Sequence, residues 1–107
     1  MAHKLSTAVR EARRTERDEV HFRTWISSDA FRRAAALVVD VSCLGFMARC
    51  DAAFEPGDTI TIGLPTLGPI SARIIWALGG RVGCEFAAPL SPQDYTTQLG
   101  AMRSQGH

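Results

Sequence analysis

The sequence predicts an all-β fold: six short strands forming an antiparallel barrel or sandwich, closed by one C-terminal helix. Three observations carry this. Apolar and polar residues alternate with period two over several stretches of five to eight residues. Turn residues separate those stretches at close intervals. No gap between them holds the dozen or more residues that a parallel crossover needs, except after the last strand.

Residues 1–19 are polar and charged, without an apolar stripe, and are expected to be an arm, flexible over residues 1–12. A single domain of 13–107 follows, with its barrel at about 18–88. VHFRTWI (20–26) alternates Val20, Phe22 and Ile26 against His21, Arg23 and Trp25. AALVVDVS (35–42) is rich in β-branched residues, which favour strands. GFMARC (45–50) is a third strand entered through Gly45. Pro56-Gly57 marks a turn before TITIGL (59–64), whose Ile60, Ile62 and Leu64 point inward. ISARIIWA (70–77) puts Ile70, Ala72, Ile74 and Trp76 on one face, so Trp76 is expected in the core. Gly79-Gly80 is a two-residue hairpin signal leading into VGCEF (82–86). Ser91 then supplies an N-cap and Pro92 a first helical position for a helix at about 91–104, frayed at Gly100.

Composition narrows the function. The chain has 107 residues and a net charge of +1, too weak a field to gather nucleic acid or an acidic membrane by charge alone. Charge is uneven: residues 1–33 hold eight basic against five acidic side chains, and the rest four against six. No apolar run is long enough to span a membrane, and residues 1–20 lack the apolar stretch of a secretory signal. Cys43, Cys50 and Cys84 form no close pair and are expected as reduced thiols in a cytoplasmic protein. No metal-ligand spacing, paired carboxylates or Ser–His–Asp order points to catalysis, so a binding module is the better class.

Within VDVSCLGF (39–46), Asp40 and Ser42 lie two residues apart and are expected to project from one face, with Val39 and Val41 toward the core. An ionised Asp accepts paired N–H donors, such as a guanine edge or an Arg fork; a Ser hydroxyl suits a phosphate oxygen. Upstream, Arg13-x-x-x-Arg17 overlaps the same spacing at Arg10 and Arg14. Guanidinium groups bond phosphate or guanine bidentately and stack on bases. Turn capping by Asp40 and Ser42, and ion pairing within a solvated arm, are the plainer alternatives. Trp25 is expected to pack against the arm or the helix, with ligand stacking as the alternative.

The ordered set R-x-x-x-R, then D-x-S-x-x-G, resembles the PilZ domain family. FEPGDTITIGL, ARIIWALGGRVGCEF ending in Gly83-x-x-Phe86, and LSPQDY extend the likeness from residue 13 to about 100. The resemblance implies a six-stranded antiparallel barrel of the PilZ type that binds the bacterial second messenger cyclic di-GMP and passes the signal to a protein effector, without cofactor, membrane insertion or nucleic acid. It further implies Arg13, Arg14 and Arg17 as the arm's guanine and phosphate ligands, Asp40 at the base, Ser42 at phosphate or sugar, and Gly45 at the tight turn behind the ligand. A nucleotide-independent adapter acting through protein contacts is the alternative.

Overall fold

The computed structural model describes residues 16–30 and 32–105. Six antiparallel strands close into a barrel: β1 (Asp18–Ser27), β2 (Ala34–Val41), β3 (Gly45–Arg49), β4 (Thr59–Leu64), β5 (Gly68–Leu78) and β6 (Arg81–Phe86). Around the barrel the order is β1-β2-β3-β6-β5-β4, with β4 returning to β1. The closing β1–β4 contact is short, pairing only Ile26 with Ile62 and Ser27 with Thr61. One helix, α1 (Pro92–Gln105), follows β6. Strand β1 begins at Asp18, so the last two residues assigned to the arm belong to the barrel.

Inward residues of every strand fill the interior. Ile26, Val38, Ala48, Ile60, Ile62, Ile74 and Val82 are almost wholly buried, and Phe46 and Phe86 pack with ring centroids 5.7 Å apart. The turn between β5 and β6 is the predicted two-residue hairpin, with Gly79 at φ 62° and Gly80 at φ 76°.

Helix α1 is capped by Ser91, whose Oγ accepts the Asp94 N–H at 3.1 Å. Asp94 in the first turn and Arg103 in the last match the helix dipole. Met102 and Gln98 are buried against the barrel. The Tyr95 hydroxyl donates to the Asp18 carboxylate and lies 3.0 Å from the Val41 carbonyl, and Arg103 donates to the Glu19 carbonyl at 3.1 Å. These bonds fasten the helix to the start of β1. The helix runs through Gly100 without interruption.

Two bulges overturn predictions made from simple alternation. Ile75 is an extra residue on β5 between the Ile74–Cys84 and Trp76–Gly83 pairs. The reading frame therefore shifts: Ile74 faces in, Ile75 and Trp76 face out, and Ala77 turns inward again. Trp76 is thus 39% exposed and lies outside the core. Likewise Val39 is extra on β2 between the Val38–Ala48 and Asp40–Met47 pairs. Val38 and Val41 are buried, whereas Val39 sits partly exposed on the outer face beside Asp40.

Trp25 packs against β4, and most of the arm lies outside the described residues. Its ring lies over Gly63 of β4, where an added Cβ would approach it to 2.7 Å, and the Arg33 guanidinium stacks on it at 4.5 Å.

Candidate functional site

The D-x-S-x-x-G segment forms the tight connection from β2 to β3, and its geometry is set by backbone needs. The Ser42 N–H donates to the Gly45 carbonyl at 2.8 Å. The Ser42 Oγ accepts the N–H groups of Leu44 at 3.1 Å and Gly45 at 3.3 Å. Both lone pairs of the hydroxyl are then occupied and its proton is left to donate. Ser42 is buried, not displayed beside Asp40 on an open face. Gly45 opens β3 opposite Glu85 of β6. A Cβ there would overlap the Cys84 carbonyl oxygen. Glycine is needed at this position for the approach of two strands.

Asp40 leaves the end of β2 just after the bulge, its side chain 17% exposed. Arg17, immediately before β1, reaches it: one guanidinium nitrogen lies 3.8 Å from the Asp40 carboxylate. Arg17, Asp40, Ser42 and Gly45 line one cleft of about 200 Å³. Its other walls come from Met47 of β3, Ile75 and Trp76 of β5, and Gly83 and Glu85 of β6. Arg13 and Arg14 lie outside the described residues.

Trp76, Met47 and Glu85 are cleft residues that sequence reasoning did not assign to the site. Trp76 stands over Gly83, where any Cβ would overlap the indole ring, so the glycine lets the indole lie flat on β6. The result is a half-exposed aromatic wall across the cleft from Asp40. Nothing along the chain signals this: Ile74, Ile75 and Trp76 fit unbroken alternation with Ile75 outward, and the extra residue shows only in the pairing with β6. Glu85 is held by Arg73, its cross-strand neighbour, at 3.4 Å.

Elsewhere, Cys50 and Cys84 are buried thiols. Burial, reinforced by Cys50, pushes the Cys84 thiol up to about 12. His21 is exposed on the outer face, away from the core that takes these two cysteines. Among the described residues, no helix is long and apolar enough to cross a membrane.

Neither a comparison with known protein families nor one with curated proteins returns a match.

Proposed function

We propose that this chain is a PilZ-type receptor for cyclic di-GMP, working in the bacterial cytoplasm and relaying nucleotide binding to a protein effector. The observation that carries the reading is the convergence of Arg17, Asp40, Ser42 and Gly45 on one cleft, with Arg17 and Asp40 in charge contact. These are the residues the motif resemblance selects.

The arrangement suits the chemistry of a guanine nucleotide. The Asp40 carboxylate accepts N–H donors and is held by Arg17 while no ligand is present. A guanine edge brings its own donors to Asp40 and frees the Arg17 fork for phosphate. The Ser42 proton, unused by the turn, points its bonding capacity toward a phosphate oxygen. Trp76 offers a flat face on which a base stacks. The cleft lies below the roughly 300–1,000 Å³ of ordinary ligand pockets, so it accommodates part of a dinucleotide. In this reading Arg13 and Arg14 are further ligands for guanine or phosphate, as the motif resemblance implies. Buried thiols at Cys50 and Cys84 suit a reducing compartment.

Isothermal titration of cyclic di-GMP into wild type and Arg17→Ala tests the proposal. Loss of one charge-assisted contact, at roughly 1.5–3 kcal/mol, weakens binding by about ten- to a hundredfold. Saturable wild-type binding that Arg17→Ala leaves unchanged removes Arg17 from the site.

The second reading is a nucleotide-independent adapter. It is favoured by the structural duties already filled: Ser42 caps its turn, Gly45 admits β6, and Asp40 holds Arg17. A wild-type protein that gives no heat with cyclic di-GMP, yet binds a purified partner, decides for it.

A further inference from the structure

We propose that the outer face of β1, β2, β3 and β6 is a docking surface for an acidic, leucine-bearing segment of a partner protein, held by Arg49 and Arg81 over a floor of Leu37, Val39 and Met47. The proposal goes beyond the nucleotide reading and stands whether or not the cleft takes cyclic di-GMP.

Arg49 and Arg81 are direct partners across the β3–β6 ladder. Like charges placed opposite each other in a sheet destabilise it. Arg73, by contrast, faces a carboxylate, Glu85, and Arg23 on β1 faces Leu37, whereas the Arg49–Arg81 pair sets two like charges opposite each other. Arg17 and Arg103 each lie within 4 Å of a carboxylate as well. Among the described residues, no carboxylate comes that close to Arg49 or Arg81. Among the described residues this pair of charges is left unmatched.

Beside them the sheet is apolar where an outer face is ordinarily polar. Leu37 pairs with Arg49, and Leu78, 80% exposed, pairs with Arg81. The β2 bulge adds Val39 to the same side. Leu37, Val39, Met47 and the two arginines line a single shallow groove of about 430 Å³. Burying that floor in a partner is favourable in itself, and it lowers the local dielectric around the arginines. Strands β2, β3 and β6 are each paired on both sides, so recognition over this groove goes through side chains.

The lining also selects among anionic partners. No Phe, Tyr or Trp lines the groove, and His21 is the one ring there on which a base could stack. Glu19 and Asp40 also line it and disfavour a long, uniformly charged phosphate chain more than a short peptide with few charges. A short peptide with leucine at its centre and carboxylates beside it meets the floor and the arginines together.

The test uses a fluorescein-labelled peptide EELLEE, its neutral counterpart QQLLQQ, and a single-stranded oligothymidylate, read by anisotropy against the full chain. EELLEE is expected to bind saturably and to weaken with added salt, and QQLLQQ to bind about tenfold less tightly. The Arg49→Glu, Arg81→Glu double variant should lose about tenfold for EELLEE while its cyclic di-GMP titration matches wild type. Amide shifts of the wild-type protein with EELLEE should cluster at Leu37, Val39, Met47, Arg49 and Arg81. Absence of saturable EELLEE binding overturns the proposal. So does binding that the charge reversals leave intact, shifts clustered elsewhere, or an oligothymidylate that outcompetes the peptide.

Discussion

Replacing Gly45 by alanine tests whether this motif glycine serves the ligand or the barrel. The added Cβ would lie 3.0 Å from both the Cys84 carbonyl carbon and the Glu85 Cα, and would overlap the Cys84 oxygen. Carbon pairs are most stable at about 3.5–4.0 Å, so the strands must part by at least about half an ångström, and further for the oxygen. The obstacle is backbone on a central strand pair, with no flexible side chain to swing aside. The cost therefore falls at the upper end of the ~1–3 kcal/mol usual for overpacking. At ~4–8 °C per kcal/mol for a domain near this size, Tm should drop by roughly 10–20 °C. Gly100→Ala is the matched control: nothing lies within 4 Å of its added Cβ. In mid-helix that substitution should stabilise by about 0.5–1 kcal/mol. Calorimetry or far-ultraviolet circular dichroism gives both values. A Gly45→Ala protein melting within a few degrees of wild type would refute the close-approach argument and return Gly45 to the ligand.

Other expectations bear on separate parts of the account. Ser42→Ala leaves the Leu44 and Gly45 N–H groups without their acceptor and should cost about 1–3 kcal/mol in urea unfolding; no loss would mean the turn holds without the hydroxyl. Trp76→Ala removes a half-exposed ring, so it should leave Tm nearly unchanged and weaken cyclic di-GMP by the ~1–3 kcal/mol of one base–aromatic stack, seen by titration; unchanged affinity places the base elsewhere. The thiol of Cys84, pushed up to about 12 by burial, and the Tyr95 hydroxyl, pushed up by burial and then by its bond to Asp18, both hold their protons more tightly folded than unfolded. Their contribution is complete below about pH 9 and is lost as pH rises toward 12, at up to ~1.4 kcal/mol per pH unit for the buried Cys84 and by less for the more exposed Tyr95. Urea midpoints should accordingly fall from pH 9 to 11, and Cys84→Ala should flatten that fall; a flat wild-type profile contradicts it.

Period-two patterning exposed most of the barrel because most strands obey it without interruption. Ile60, Ile62 and Leu64 on β4, and Val82, Cys84 and Phe86 on β6, all point inward as their spacing requires. The glycine pair at 79–80 declared its hairpin because only positive φ closes a two-residue turn with the right twist. The failures share one cause. A bulge inserts a residue without leaving a local signature in composition, and it exchanges the faces of everything beyond it. Val39 and Trp76 were misplaced for that reason, and Trp76 is the residue that walls the cleft. The strand pairing that sets Trp76 on Gly83, and Arg49 opposite Arg81, is nonlocal and invisible to a window along the chain. Asp40, Ser42 and Gly45 were legible as a group, whereas the turn-capping work of Ser42 and the strand contact of Gly45 needed the fold.

The most direct test of the central claim is an amide chemical-shift titration of the labelled full chain with cyclic di-GMP. The account predicts saturable shifts that cluster at Arg17, Asp40, Ser42, Met47, Trp76 and Gly83, together with release of Arg17 from Asp40. Spectra that do not move, or shifts confined to other faces of the barrel, contradict it.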